Sequence, residues 1–288
     1  MKACKDWILA ALVTVPAVIG GSGAFAQATN AAPGSAPPSF GTAALPTEKT
    51  PGSVGVVYMH EPPPLPADAP APSSDPRKFD GTWLQTKPGV NTADMFGNKL
   101  PLSPAGQKVL DQRLKAFKDG APFINASALC LPTGQPWQMD APAPFEIFQT
   151  ADRLVFIFEE YHGADQIFID PAQALPPGYM GQSIGHWDGD TLVVETTGFK
   201  QDLWLDINGT PASKNAKLTQ RIRKVKSDHW YLEVLYTLDD PTNYTRPWSW
   251  LRSYSWRPDM TLYREFDCEL QTGAKGGLTP GLVPETKD

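Results

Sequence analysis

Residues that hold metals or activate nucleophiles are scarce in this sequence. Its 288 positions contain four histidines and three cysteines. His60 lies in a proline-rich stretch, and His162, His186 and His229 fall on three different predicted strands. None shows H-x-H or H-E-x-x-H spacing, so no metal site is predicted. A glycine-rich phosphate loop and a dinucleotide fingerprint are both missing, and no cofactor is expected. The formal charge is −6 with no basic stripe, which argues against a nucleic-acid partner. No apolar run after the first 26 residues is long enough to cross a bilayer, so no transmembrane segment is expected once that leader is removed.

The leader itself has the form of a secretory signal. Lys2 and Lys5 precede an apolar run, Gly20, Gly21 and Gly23 interrupt it, and Ala24-Phe25-Ala26 gives an A-x-A cleavage site. Residues 1–26 are read as a signal peptide, and the mature chain as exported to the periplasm or the extracellular space. Cys130 and Cys268 remain after cleavage, and in an oxidising compartment their simplest use is one bridge. Residues 27–78 are rich in Pro, Ala, Gly and Ser and poor in large apolar residues, which predicts a disordered linker. A single domain is expected over 79–270, followed by an irregular tail over 271–288.

Within that domain one helix is clear. Ser103 can cap it, Pro104 suits its first turn, Gly120 can end it, and Val109, Leu110, Leu114 and Phe117 form an apolar face. The rest alternates as strands: RLVFIFEEYH, DQIFID, QSIGHW, TLVVETTGF, LTQRIRKV, HWYLEVLYTL, PWSWLRSYSW and TLYREFDCEL, separated by turn signals. The expected fold is therefore all-β with one or two helices, an antiparallel meander closing into a barrel, with a β-sandwich as the alternative.

Gly181-Gln182-Ser183-Ile184-Gly185 matches G-x-S-x-G in form. A nucleophile elbow needs a helix directly after the serine, whereas HWDGDTLVVET predicts a hairpin turning at Asp188-Gly189. With that two-residue loop His186 pairs with Thr191, and His186, Ile184, Val193 and Glu195 share a face. A G1 bulge would instead set His186 beside Asp190.

The last predicted hairpin carries the stronger functional signal. Alternation sets Trp248, Trp250, Arg252, Tyr254 and Trp256 on one face. Leu262, Arg264, Phe266 and Cys268 form a face of the next strand. A three-residue turn would merge the two faces, and a four-residue turn would pair Arg252 with Glu265. Tryptophan and tyrosine combine ring area with a polar edge, and arginine holds an anion while stacking on rings. With Trp204 and Tyr244 these residues are the candidate substrate-binding set. His186, Glu160, Tyr161 and Asp206 are the candidate acids and bases, because a carboxylate in an apolar cavity becomes a weaker acid.

Gly81-x-Trp83 resembles the lipocalin opening, and Thr242-Asn243-Tyr244 resembles the lipocalin T-D-Y motif with Asn in place of Asp. The lipocalin arginine would be Arg252 or Arg264. This likeness implies a calycin-like barrel. CLPTGQP, PFEIFQT, GHWDGDTLVVETTGF and DDPTNYTRPW resemble a family of exported bacterial proteins of unassigned activity. Three functions are compatible with these features. The first is an exported, cofactor-independent lyase acting on a small aromatic compound. The second is a binding protein for an aromatic or apolar small molecule. The third is an envelope structural or interaction module.

Overall fold

The computed structural model describes residues 64–86, 92–119, 126, 130–141, 143–160, 163–169, 176–206 and 208–262. The strands among them are β1 (Gly81–Gln85), β2 (Phe145–Gln149), β3 (Arg153–Phe158), β4 (Ala164–Ile169), β5 (Gln182–Asp188), β6 (Thr191–Thr197), β7 (Leu203–Trp204), β8 (Pro211–Ala212), β9 (Lys217–Lys226), β10 (Trp230–Asp239) and β11 (Trp248–Trp256). Nine of them close a barrel in the order β1-β11-β10-β9-β6-β5-β4-β3-β2, while β7 and β8 form a separate ribbon. Closure is through β1, which pairs with β11 at Trp83↔Trp256 and with β2 at Trp83↔Phe145. The barrel expectation holds, and a sandwich is excluded by this closure.

The meander has one exception: β4 and β5 are parallel, with Phe168 opposite Ile184. A parallel step needs a crossover connection rather than a tight turn. The sequence between Ile169 and Gln182 supplies the length, and Gly178 bridges Phe199 beside it.

Strict period-2 burial explains why the long strands form. Along β9 and β10 every second residue is buried, so Leu218, Gln220 and Ile222 line the interior with Leu232, Val234, Tyr236 and Leu238. The opposite faces carry surface polar pairs such as Arg223–Glu233 at 2.6 Å. On β11 the predicted aromatic face points inward: Trp248, Trp250, Tyr254 and Trp256 are all buried.

The predicted helix is α1 (Pro104–Lys118), and the Ser103 hydroxyl accepts the Gly106 N–H at 3.1 Å as its cap. Among its described side chains the buried residues are Gly106 and Ala116, Val109 and Leu110 are half-buried, and Leu114 is exposed, contrary to the expected face. The reason is close approach: a Cβ on Gly106 would sit 2.2 Å from the Asn243 carbonyl oxygen. The helix therefore rests on small residues rather than on leucine. A second helix, α2 (Trp137–Asp140), is a single turn before β2, and its Gln138 and Met139 are buried.

The linker expectation is corrected over residues 64–78. The Lys224 ammonium binds the carbonyl oxygens of Ser73, Asp75 and Lys78 at 2.5, 2.7 and 2.5 Å, and the Trp256 indole N–H binds that of Pro70 at 2.7 Å. Composition hid this because backbone oxygens hold much of the segment, with Leu65 as its one large apolar side chain packed on the core. The expected signal peptide, the earlier part of the expected linker, the part of the predicted TLYREFDCEL strand beyond Leu262 and the tail lie outside the described residues. Among the described residues no helix is long and apolar enough to cross a membrane.

Candidate functional site in the barrel interior

Asp140, the last residue of α2, is carried into the barrel. Its carboxylate accepts the Arg252 Nε–H at 2.9 Å, the Tyr254 hydroxyl at 2.9 Å and the Gln85 amide at 3.3 Å. The Tyr254 oxygen is in turn 2.9 Å from the Tyr236 hydroxyl. Each tyrosine has one proton. With Tyr254 donating to Asp140, Tyr236 donates to Tyr254, and a directed chain runs from Tyr236 to the carboxylate.

Burial pushes the Asp140 carboxyl above its ordinary value, against the pull of Arg252 and Tyr254. Burial opposes the charge on Arg252, but the charge and hydrogen bond of Asp140, with the Tyr254 and Tyr236 oxygens, together hold the guanidinium above its ordinary value. Asp140 is a weaker acid than a solvated aspartate. Both tyrosine hydroxyls are pushed well upward by burial, then by the Asp140 charge, and stay protonated.

Rings surround this polar island. Tyr236 stacks on Trp250 with centroids 5.1 Å apart and planes at 9°, and Trp248 lies 4.7 Å beyond Trp250. Phe145 meets Tyr254 edge-on at 5.3 Å. Met139 reaches in from α2, its sulfur 3.4 Å from the Tyr236 hydroxyl and 3.6 Å from the Gln220 amide nitrogen. Gln220, Tyr236 and Trp250 are successive cross-strand partners on β9, β10 and β11. The Gln220 Oε1 and the indole N–H groups of Trp248 and Trp250 are buried without a hydrogen-bond partner. An unmade buried bond costs about 1–3 kcal/mol, so three in one region of wall are a feature that packing alone does not account for.

The candidates from the sequence separate. Arg252, Trp248, Trp250 and Tyr254 share the interior as expected. Tyr244 is buried beside Trp248, and its hydroxyl binds the Pro211 carbonyl at 2.7 Å. Trp204 is half-buried on β7, under the Arg113 guanidinium at 4.8 Å and 6.2 Å from Trp137.

His186 does not join them. The hairpin loop is Gly189-Asp190, one residue later than expected, so His186 faces Val193 and Ile184 faces Glu195. Gly189 takes φ 59°, as the first loop position of a II′ turn requires. His186 and Glu195 do share a face, but it is the outer one, and both are exposed. Asp206 is buried yet engaged in its own loop, accepting from Thr92 N, Asn208 N, Thr210 N and the Thr210 hydroxyl. Those four donors make it a loop anchor rather than a free base.

Glu160 follows β3 and is partly buried; burial, then the neighbouring Glu159, push its carboxyl up to about 7. Tyr161, His162, Arg264 and Cys268 lie outside the described residues. Cys130 has φ 55°.

Ser183 is not an exposed nucleophile. It is buried on β5, its hydroxyl 3.2 Å from Asp165 and 2.9 Å from the Thr196 hydroxyl. Gly185 is there for close packing, since an added Cβ would lie 2.9 Å from Ile167 Cγ2.

Sequence reasoning missed Asp140, Gln85, Gln220 and Tyr236. For Gln220 a signal existed: it is the one polar residue between Leu218 and Ile222 on the inward face of β9. Asp140 had none, because its neighbours Pro136, Trp137 and Ala141 show no periodicity. Among the described residues no group of three or more His, Cys, Asp or Glu side chains is placed to hold a metal ion. No family model, no curated protein and no solved structure matches this chain, so its function is read from the site alone.

Proposed function

We propose that the barrel interior takes a small aromatic molecule and that the chain is a lyase working on it by acid–base chemistry without a bound cofactor. One observation carries the reading: unpartnered Trp248 Nε1, Trp250 Nε1 and Gln220 Oε1 belong to the same aromatic wall as the arginine-paired, tyrosine-linked Asp140. Two indole N–H groups suit a phenolate or carboxylate oxygen, and the flat rings suit an aromatic body. Asp140 would accept the proton released in an elimination or carbon–carbon cleavage. Tyr254 would give its proton to the leaving group and recover one from protonated Asp140, which it touches, so that one proton passes from substrate to leaving group. Arg252 would set the carboxylate's orientation and acidity rather than hold the substrate.

The engagement of Asp140 by three donors also favours a second reading, a binding protein whose ion pair shapes the pocket without chemistry. A panel of phenols and aromatic acids, followed by tryptophan fluorescence for binding and by chromatography with mass detection for product, separates the two. Turnover lost in Asp140→Asn with binding retained supports the lyase. Binding without turnover in the wild type leaves the second reading, and neither binding nor turnover ends both.

The same proposal includes export after cleavage at Ala26 and a Cys130–Cys268 bridge. Mass spectrometry of chain recovered from the periplasm or the medium checks both, with Gln27 expected at the N-terminus and the two cysteines in one linked peptide.

A further inference from the structure

A second polar cluster lies elsewhere inside the barrel and takes no part in the proposed chemistry. Asp165 on β4, Ser183 on β5 and Thr196 on β6 all face inward, and Gln135 meets them from the segment entering α2. Their exposures are 3, 1, 0 and 1 % in the order Asp165, Ser183, Thr196, Gln135. The Ser183 hydroxyl lies 3.2 and 3.4 Å from the two Asp165 oxygens and 2.9 Å from the Thr196 hydroxyl. The Gln135 amide nitrogen is 3.2 Å from Asp165, while its Oε1 is buried without a partner.

Two facts about this cluster are unexplained by packing. Among the described residues no Lys, Arg or His forms an ion pair with Asp165. Its carboxylate is met by the Ser183 hydroxyl and the Gln135 amide, both neutral groups. An enclosed anion without a counter-charge is strongly unfavourable. The Gln135 oxygen is likewise a buried acceptor without a hydrogen-bond partner, on the amide whose nitrogen already touches the aspartate.

We propose that Asp165, Ser183, Thr196 and Gln135 bind a monovalent metal cation, Na⁺ or K⁺. The donors are all oxygens, which selects a hard ion. They include one carboxylate, which neutralises a single positive charge and would leave a divalent ion in excess. Hydroxyl oxygens coordinate through their lone pairs while keeping their protons for hydrogen bonds. The ion would satisfy the Gln135 oxygen and the Asp165 charge together. Because Gln135 leads directly into α2, it would also fasten the segment that delivers Asp140 to the barrel wall.

Thermal unfolding of the full chain at constant ionic strength in NaCl, KCl or choline chloride tests this. A ligand that binds only the folded state raises the midpoint, and the rise grows with concentration. The expected result is a midpoint several degrees higher in Na⁺ or K⁺ than in choline, the better salt identifying the ion. Asp165→Asn and Gln135→Leu should remove that difference, whatever their own midpoints. Equal midpoints in all three salts would overturn the proposal, as would a difference that persists in Asp165→Asn. Should the variants not fold, wild-type crystals soaked in RbCl or TlNO₃ decide. An anomalous peak among the four oxygens supports the site, and no peak there overturns it. None of these readouts involves turnover, so they are independent of the proposed lyase chemistry.

Discussion

The hydroxyl of Tyr254 lies 2.9 Å from the carboxylate of Asp140, 114 residues earlier in the chain. One comes from the last barrel strand and the other from a single helical turn inserted before β2. The barrel wall and its inserted segment are thus joined by a charged contact, with Arg252 as the counter-ion.

Breaking that contact from one side should be costly. Arg252→Met leaves an uncompensated buried carboxylate, and Asp140→Asn an uncompensated guanidinium; each is expected to lose about 3–5 kcal/mol in urea denaturation. The double variant should recover a substantial part of the loss. A double-mutant cycle with no coupling would show that the pair does not act as a unit.

Trp250→Phe separates stability from recognition. It removes a buried N–H without a partner, worth about 1–3 kcal/mol, and opens a small void of opposing sign. The unfolding free energy should therefore change by no more than about 1 kcal/mol. Affinity for an aromatic ligand should fall about tenfold, equivalent to 1.4 kcal/mol. Fluorescence titration and equilibrium unfolding on one sample compare the two.

Glu160 predicts a pH signature. Its folded-state value is raised to about 7 from an ordinary 4.5, so the folded chain holds this proton more tightly than the unfolded one. Its stabilising contribution is complete below the lower value and is lost as pH rises through the upper one. Glu160→Gln should flatten stability over that window and be more stable at pH 8 by about 2 kcal/mol, after allowance for partial exposure. Denaturation at pH 4, 6 and 8 checks the sign.

Gly185→Ala tests interior packing at the former G-x-S-x-G. The new methyl would meet Ile167 Cγ2 at 2.9 Å and Leu192 Cδ1 at 3.1 Å. Overpacking of this kind costs about 1–3 kcal/mol, to be read from the unfolding midpoint.

Alternation made most of the wall legible. The inward face of β11 was readable because tryptophan, arginine and tyrosine occupy every second place. The closed barrel followed from the number of such strands. The parallel β4–β5 step was not readable, since both strands alternate as antiparallel ones do and only the crossover distinguishes them. The hairpin at Gly189 shifted by one residue because Asp188-Gly189 and Gly189-Asp190 are both acceptable two-residue loops. Asp140 escaped notice because its role depends on where a single turn enters the barrel, and no local pattern encodes that. His186 misled for the converse reason: a reactive residue type on a well-patterned strand still has two faces to choose from.

The tripod of carbonyls around Lys224 bears on where the protein can be cut. A shortened gene begun at Phe79 would preserve every wall strand and still strip an ammonium of all three acceptors, the farthest of them 151 positions upstream in the chain. The autonomous folding unit must then start upstream of Ser73, inside what composition reads as a dispensable linker, and expression work that trims by composition would discard a keystone.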